Sequence, residues 1–255
     1  MILRAEEMGN GAPVCVLHGL FGSATNLRTV GRRLAATRRV LLLDLRNHGT
    51  SSHASSMSYA EMAADVRETL ASRDALPAAL LGHSMGGKVA MRLALEAPGA
   101  VSRLLVGDIA PVTYPPHFRD LAAAMLALPL RPGLKRAEAD ALLAPAAQDR
   151  ALRAFLLQNL VLGEAPAWRI GLAEIAAALP GIEGWDAPTG ASYGGPALFL
   201  SGGRSDYVRA ADRPLIRALF PAARFVTLRD AGHWMHADQP EAFAATATAF
   251  LAPPG

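Results

Sequence analysis

The stretch AALLGHSMGGKVAMRLALEA, residues 78–97, decides the fold. It opens with a short apolar run that is typical of a buried strand, and it ends in a helical pattern that Pro98 stops. Between the two stands the pattern G-x-S-x-G, residues 82–86, with Ser84 at its centre. A strand, a tight turn and a helix in this order lift a serine hydroxyl out of the backbone, at the positive end of the helix. The stretch therefore predicts a nucleophilic Ser84 at one edge of a parallel sheet.

Short apolar runs and longer helical patterns alternate on both sides of this stretch, as they do in α/β proteins. The runs predict strands at 14–17, 40–45, 78–82, 101–107, 196–201 and 224–228. Helices are predicted after Ser23, after the capping box of Ser58 and Glu61, and over 85–97, 210–220 and 240–251.

The pattern changes between residues 112 and 195, which are rich in alanine, leucine and proline and contain no convincing strand. We interpret this segment as an inserted helical cap. The predicted domains are a core of residues 1–111 and 196–255 and a cap of residues 112–195.

The composition excludes several classes of protein. The 255 residues are 51% hydrophobic and 18% charged, which excludes intrinsic disorder. The single cysteine, Cys15, has no partner for a disulfide or a zinc site, which excludes disulfide scaffolds and zinc fingers. The net charge is only +3, and no basic stripe with interleaved aromatic residues suggests a nucleic-acid surface.

The start of the chain has no apolar signal region, and no window approaches the ~18 apolar residues of a membrane span. We therefore expect a soluble, cytoplasmic protein.

A serine hydroxyl needs a nearby base, and histidine is suited to that role. The best candidate among the seven histidines is His233, which follows the last predicted strand and so lies at the same sheet edge as Ser84. Two aspartates could orient it, Asp108 at the end of strand 101–107 and Asp206 after strand 196–201. The chain order Ser, Asp, His fits Asp206, and the choice stays open at this point.

An oxyanion needs hydrogen-bond donors. The run HGLFG, residues 18–22, follows a predicted strand, so the N–H groups of Leu20 and of Met85 are the predicted pair. The polar loop DLRNHGTS, residues 44–51, is expected to brace the site, with Asn47 or His48 near it.

These motifs together resemble the α/β-hydrolases, and the YbfF-type esterases in particular. The resemblance rests on HGLFG at 18–22, DLRNHGTS at 44–51, GHSMGGK at 82–88, DIAPV at 108–112 and GHWMHA at 232–237. It implies a mostly parallel sheet of eight strands, the second of them antiparallel, with helices on both faces and a helical cap.

The resemblance also implies roles for single residues. Ser84 becomes the nucleophile, His233 the base, and the amides of Leu20 and Met85 the oxyanion hole. The superfamily usually takes the acid of its triad from the position of Asp206, whereas YbfF-type esterases look as though they can use the position of Asp108. Both aspartates stay candidates, with a slight preference for Asp108.

The resulting hypothesis is a serine hydrolase that cleaves carboxylic esters or thioesters of small to medium acyl groups through an acyl-enzyme, without metal or organic cofactor. The alternatives are a C–C bond hydrolase or perhydrolase with the same triad, and a weakly catalytic ligand receptor. Five cap residues are candidates for an apolar acyl pocket: Tyr114, Phe118, Met125, Phe155 and Trp168.

Overall fold

The computed structural model describes residues 1–252. Its strands are β1 Ala5–Met8, β2 Pro13–Leu17, β3 Arg39–Leu43, β4 Ala78–His83, β5 Val101–Gly107, β6 Leu160–Val161, β7 Ala167–Trp168, β8 Ala197–Gly202 and β9 Ala223–Leu228. Its α-helices are α1 Arg28–Leu34, α2 Tyr59–Ala71, α3 Met85–Glu96, α4 Arg119–Leu126, α5 Arg136–Leu143, α6 Arg150–Leu157, α7 Leu172–Glu183, α8 Arg213–Leu219, α9 Met235–Asp238 and α10 Pro240–Leu251. Short 3-10 helices cover Ala24–Leu27, Pro98–Ala100 and Ala210–Asp212.

Seven strands form the central sheet, in the order β1-β3-β2-β4-β5-β8-β9. All neighbours pair in parallel except β1, which runs antiparallel to β3. The α/β-hydrolase fold is confirmed, but the expected count of eight strands is wrong for the described residues. Among the described residues, the antiparallel strand is the first along the chain rather than the second.

The central strands are buried on both faces because helices cover each side of the sheet. Along β2, Val14 and Val16 pack into the core on one face, with α1 and α10, while Cys15 and Leu17 pack into the other, with α2 and α3. This alternation follows from the two-residue period of a strand. Cys15 is fully buried between β3 and β4.

The register of the sheet brings several loops to one edge. His83 at the end of β4 pairs with Gly107 at the end of β5, and Gly107 pairs with Leu200 of β8. The Ser84 N–H donates to the Gly107 carbonyl at 2.8 Å, which ties the turn after β4 to its neighbour. Residues that follow these parallel strands therefore lie side by side.

The segment between β5 and β8 contains α4 to α7 and a hairpin of β6 and β7. The expectation of no strand there is wrong. Each of these strands has only two residues, too short for an alternating pattern to appear in the sequence.

Candidate active site

Ser84 lies in a tight turn between β4 and α3, with φ +54° and ψ −123°. Residues other than glycine rarely adopt a positive φ, so the surrounding packing must hold this conformation. A Cβ added at Gly82 would lie 2.2 Å from the carbonyl oxygen of Gly86, and one added at Gly86 would lie 2.5 Å from that of His18. The turn therefore needs glycine at both positions.

The structure brings His233 to Ser84. The Nε2 atom of His233 lies 3.1 Å from Ser84 Oγ, and its Nδ1 atom lies 2.7 Å from Oδ2 of Asp108. A carboxylate accepts, so Nδ1–H donates to Asp108 and Nε2 is free to accept the serine proton. The three side chains form one row of hydrogen bonds.

Asp108 is fully buried at the end of β5, with φ +49°. Its Oδ1 accepts the Gly202 N–H at 3.0 Å, and its Oδ2 also accepts the hydroxyl of Ser205. These bonds fix the carboxylate toward His233. Asp206 is exposed, and its carboxylate makes no hydrogen bond to His233.

The two predicted oxyanion donors are free. Within residues 1–252 neither the Leu20 N–H nor the Met85 N–H donates to another protein atom. Both residues are buried and line the same cavity as Ser84. Both N–H groups are therefore available to an oxygen atom of a ligand in this cavity, as an oxyanion hole requires.

The cavity above Ser84 has a volume of about 30 Å³. Its walls are mainly apolar and come from both the core and the 112–195 segment. Of the five predicted lining residues, Tyr114 and Phe118 do line it. Met125, Phe155 and Trp168 do not, because they pack elsewhere: the Trp168 indole donates to the Met125 carbonyl at 3.1 Å, and the Phe155 ring packs against that of Trp234.

Lys88 lines the cavity, and sequence reasoning did not identify it. Its Nζ donates to the Gly184 carbonyl at 2.6 Å and lies 4.8 Å from the centre of the Tyr114 ring. The nearby Glu183 carboxylate pairs with Arg119 instead. Burial lowers the pKa of Lys88 to about 7. The available signal was its spacing, since a residue four positions after Ser84 shares its helix face.

Tyr207 was also missed. Its ring stacks on that of His233, with centroids 4.2 Å apart and planes 26° apart, and its hydroxyl shares a hydrogen bond with His117. Burial raises the pKa of Tyr207 to about 12, so the ring is neutral at ordinary pH. Ser205 and Tyr207 are the neighbours of Asp206 in the sequence. The loop that contains Asp206 therefore contacts the site through Ser205, which bonds to Asp108, and through Tyr207, which stacks on His233.

Two further histidines support the site indirectly. His83 Nε2–H donates to the His233 carbonyl at 2.8 Å. His18 Nε2 accepts the Leu45 N–H at 3.1 Å. Burial lowers the pKa of both histidines, which keeps their rings neutral.

No group of three or more His, Cys, Asp and Glu side chains in residues 1–252 is arranged to hold a metal ion. In the same part of the chain, no helix combines the length and the apolar character needed to cross a bilayer.

Comparison with known proteins shows which family the chain belongs to. The family model described as "Alpha/beta hydrolase family" matches residues 14–246. The chain is 41% identical to the sn-1-specific diacylglycerol lipase ABHD11 of Mus musculus, over 94% of this chain and 80% of the relative. It is 36% identical to the esterase YbfF of Escherichia coli, over 93% and 92% of the two chains.

A solved structure, that of a marine microorganism esterase, superposes with a TM-score of 0.94 at 36% identity, covering 98% of this chain and 99% of the other. The resemblance drawn from the motifs is thereby confirmed. The chain belongs to the alpha/beta hydrolase family of enzymes.

Proposed function

We propose that this enzyme is a serine esterase that cleaves carboxylic esters or thioesters through an acyl-enzyme. The observation that carries the proposal is the row of hydrogen bonds from Ser84 through His233 to Asp108. Relatives that are named esterases support it. The partner is a small-molecule ester or thioester, no nucleic acid takes part, and the cytoplasm remains the expected location.

Acylation involves all three side chains of this row, Ser84, His233 and Asp108. His233 Nε2 takes the Ser84 proton while Oγ attacks the acyl carbonyl, and the amides of Leu20 and Met85 hold the resulting oxyanion. The buried Asp108 carboxylate stabilises the imidazolium that forms. His233 then gives its proton to the leaving alcohol or thiol, and the acyl group stays on Ser84.

Deacylation repeats these steps with water. His233 takes a proton from the attacking water, the tetrahedral intermediate collapses, and the proton returns to Ser84 as the acid leaves. Every proton is carried by protein groups and water, so the proposal requires no cofactor.

We assign the role of the acid to Asp108 and not to Asp206. Burial, the second hydrogen bond from Gly202 and the contact with His233 support Asp108, whereas Asp206 is exposed.

We also propose that residues 112–195 act as the cap over a core of residues 1–111 and 196–255. Tyr114, Phe118 and Ile182 from this segment support the assignment, because they line the cavity together with Ser84.

The narrow cavity supports a preference for small acyl groups. Its volume is about 30 Å³ and its walls are mainly apolar, so a short acyl chain fits there most readily. Medium acyl groups require the cap to move away from the core. Esters should therefore be cleaved with a preference for short chains, and longer ones should depend on cap motion.

The test combines labelling and turnover. We expect a fluorophosphonate probe to label wild-type protein and not Ser84→Ala, and Ser84→Ala to lose ester hydrolysis while its thermal unfolding stays unchanged. Substrates are p-nitrophenyl esters from acetyl to dodecanoyl, together with matched acyl-CoA thioesters.

Other outcomes would favour the alternatives. Folded wild-type protein that resists the probe would support a ligand receptor. Labelled protein that cleaves diketones or forms peracids faster than it cleaves any ester would support a C–C bond hydrolase or a perhydrolase.

A further inference from the structure

The loop that carries Leu20 contains a strained residue. The Gly22 N–H donates to the Gly19 carbonyl at 3.0 Å, so residues 19–22 form a turn with Leu20 and Phe21 at its centre. Phe21 has φ +59°. This position of a turn usually holds glycine when φ is positive, so the conformation of Phe21 persists only because its surroundings impose it.

One partner of Phe21 is His48, which is fully buried. The Phe21 N–H donates to His48 Nε2 at 3.1 Å, while His48 Nδ1–H donates to the Arg46 carbonyl at 2.9 Å. The second bond fixes the tautomer, so Nε2 is always the acceptor. Burial also lowers the pKa of His48 to about 3, and the ring therefore remains neutral at working pH.

The other partner is Asn159, which lies just after α6 in the proposed cap and is itself buried. Its Nδ2 donates to the Phe21 carbonyl at 2.8 Å. The two backbone polar groups of Phe21 are thus held by different parts of the chain, the N–H by His48 and the carbonyl by the 112–195 segment. Loss of either bond would let the turn relax, and the Leu20 N–H would change direction with it.

We propose that His48 and Asn159 are positioning residues that align the N–H of Leu20 as an oxyanion donor. Because Asn159 belongs to residues 112–195, this alignment depends on the packing of that segment against the core. The inference rests on the proposed esterase function. It implies that acyl transfer proceeds at full rate only with the cap closed, when the hydrogen bond from Asn159 is formed.

The experiment compares His48→Leu and Asn159→Leu, which remove the acceptor and the donor, with His48→Gln, whose amide oxygen can still accept from Phe21. We expect each leucine variant to lower kcat about tenfold to about a hundredfold with little change in KM, because the lost alignment acts in the transition state. His48→Gln should recover most of the rate.

The decisive readout is the affinity for a trifluoromethyl ketone, which forms the oxyanion on Ser84. It should fall with kcat/KM, whereas the affinity for a competitive substrate amide should stay constant. The control is His53→Ala, which removes an exposed hydrogen bond from His53 to the Arg169 carbonyl across the same boundary and should leave kcat unchanged.

The proposal is overturned if folded leucine variants keep wild-type kcat and ketone affinity. If either leucine variant fails to fold, Asn159→Ser and His48→Gln test the proposal instead. The proposal then requires that Asn159→Ser loses affinity for the ketone and that His48→Gln keeps it. A wild-type protein that neither labels at Ser84 nor cleaves esters refutes the esterase function itself, which is a distinguishable result.

Discussion

Asp108 and Asp206 differ in what surrounds them, although both follow strands that end at the same sheet edge. Asp108 is buried and bonded to His233, and Asp206 is exposed. An asparagine at position 108 would keep the shape of the side chain, but its neutral amide could not stabilise the positive charge of the His233 imidazolium. We predict that Asp108→Asn lowers kcat by about a hundredfold to about ten-thousandfold.

Asp206→Asn is the matched control for this prediction, and its kcat should stay within about twofold of wild type because surface substitutions rarely matter. The measurement is steady-state hydrolysis of p-nitrophenyl acetate. A larger loss in Asp206→Asn than in Asp108→Asn would reverse the assignment of the acid.

Lys88 gives a prediction about pH and stability. Its pKa of about 7 in the folded protein lies below the ordinary value of 10.5, because burial disfavours the charge. Between these values the unfolded chain binds a proton that the folded chain has released, so the free energy of unfolding rises with pH. This contribution should add about 2 kcal/mol between about pH 7 and about pH 9.

Lys88→Met removes that contribution, and the difference between wild type and variant isolates it from all other groups. Urea unfolding at several pH values provides the measurement. Parallel curves for the two proteins over this range would show that Lys88 stays charged in the folded state.

At this scale the sequence predicts best where a motif constrains the backbone. Ser84 and His233 could be predicted because the turn and the last strand fix their positions. The choice between Asp108 and Asp206 could not, since both follow strands of one edge and only side-chain packing separates them. Lys88 ends the motif at residues 82–88 and Tyr207 lies in no motif, but the contacts of both side chains are with residues distant in the sequence, which the sequence does not reveal.

Among the elements, the turn from β4 to α3 tolerates little change. A Cβ at Gly82 would lie 2.2 Å from a backbone oxygen, which cannot move as a flexible side chain could. We predict that Gly82→Ala lowers the free energy of unfolding by about 1–3 kcal/mol or more, and reduces fluorophosphonate labelling of Ser84.

Gly181, in the exposed part of α7, serves as the comparison because nothing lies within 4 Å of an added Cβ. Gly181→Ala should stabilise the protein by about 0.5–1 kcal/mol, since alanine loses less entropy in a helix. Both values come from thermal or urea unfolding. Equal effects of the two substitutions would mean that the turn is not tight.

Elements with strong periodicity were predicted well, and short ones were not. The capping box of Ser58 and Glu61 starts α2 as expected, and β5 has the predicted bounds. The strand β1 was missed because its four residues, AEEM, are polar at the centre and pair only along one side. The predicted helix after Ser23 begins as a 3-10 helix and becomes α1 only at Arg28.

For the whole molecule, buried histidines predict sensitivity to mild acid. Burial lowers the pKa of four of them, to about 3 for His48 and about 4 for His236, and also for His18 and His83. In the unfolded chain they titrate near 6.5, so the unfolded state binds more protons below that pH. The free energy of unfolding should therefore fall as the pH drops, by up to about 1.4 kcal/mol per histidine per pH unit.

His236→Phe tests this prediction with one substitution, because His236 packs against Phe243 and its Nδ1 atom has no hydrogen-bond partner. The variant should lose less stability than wild type between about pH 6.5 and about pH 4.5. Urea midpoints across this range provide the measurement, and identical slopes would argue against a neutral, half-buried His236.

The overall architecture was predictable because alternating strands and helices allow few arrangements. The helices of residues 112–195 could be recognised, but not the way they pack on the core. Their alanine and leucine faces fit many partners, so the contacts of Met125, Phe155 and Trp168 could not be assigned from spacing alone.

The fully buried Cys15 gives the molecule a built-in reporter. Its strand has paired neighbours on both sides, and burial raises the pKa of its thiol, so a disulfide-exchange reagent finds no reactive thiolate in the native state. Reaction requires the middle of the sheet to come apart. The rate at which such a reagent releases its coloured product therefore reports the rate of global opening. The measurement needs neither a substitution nor an attached dye.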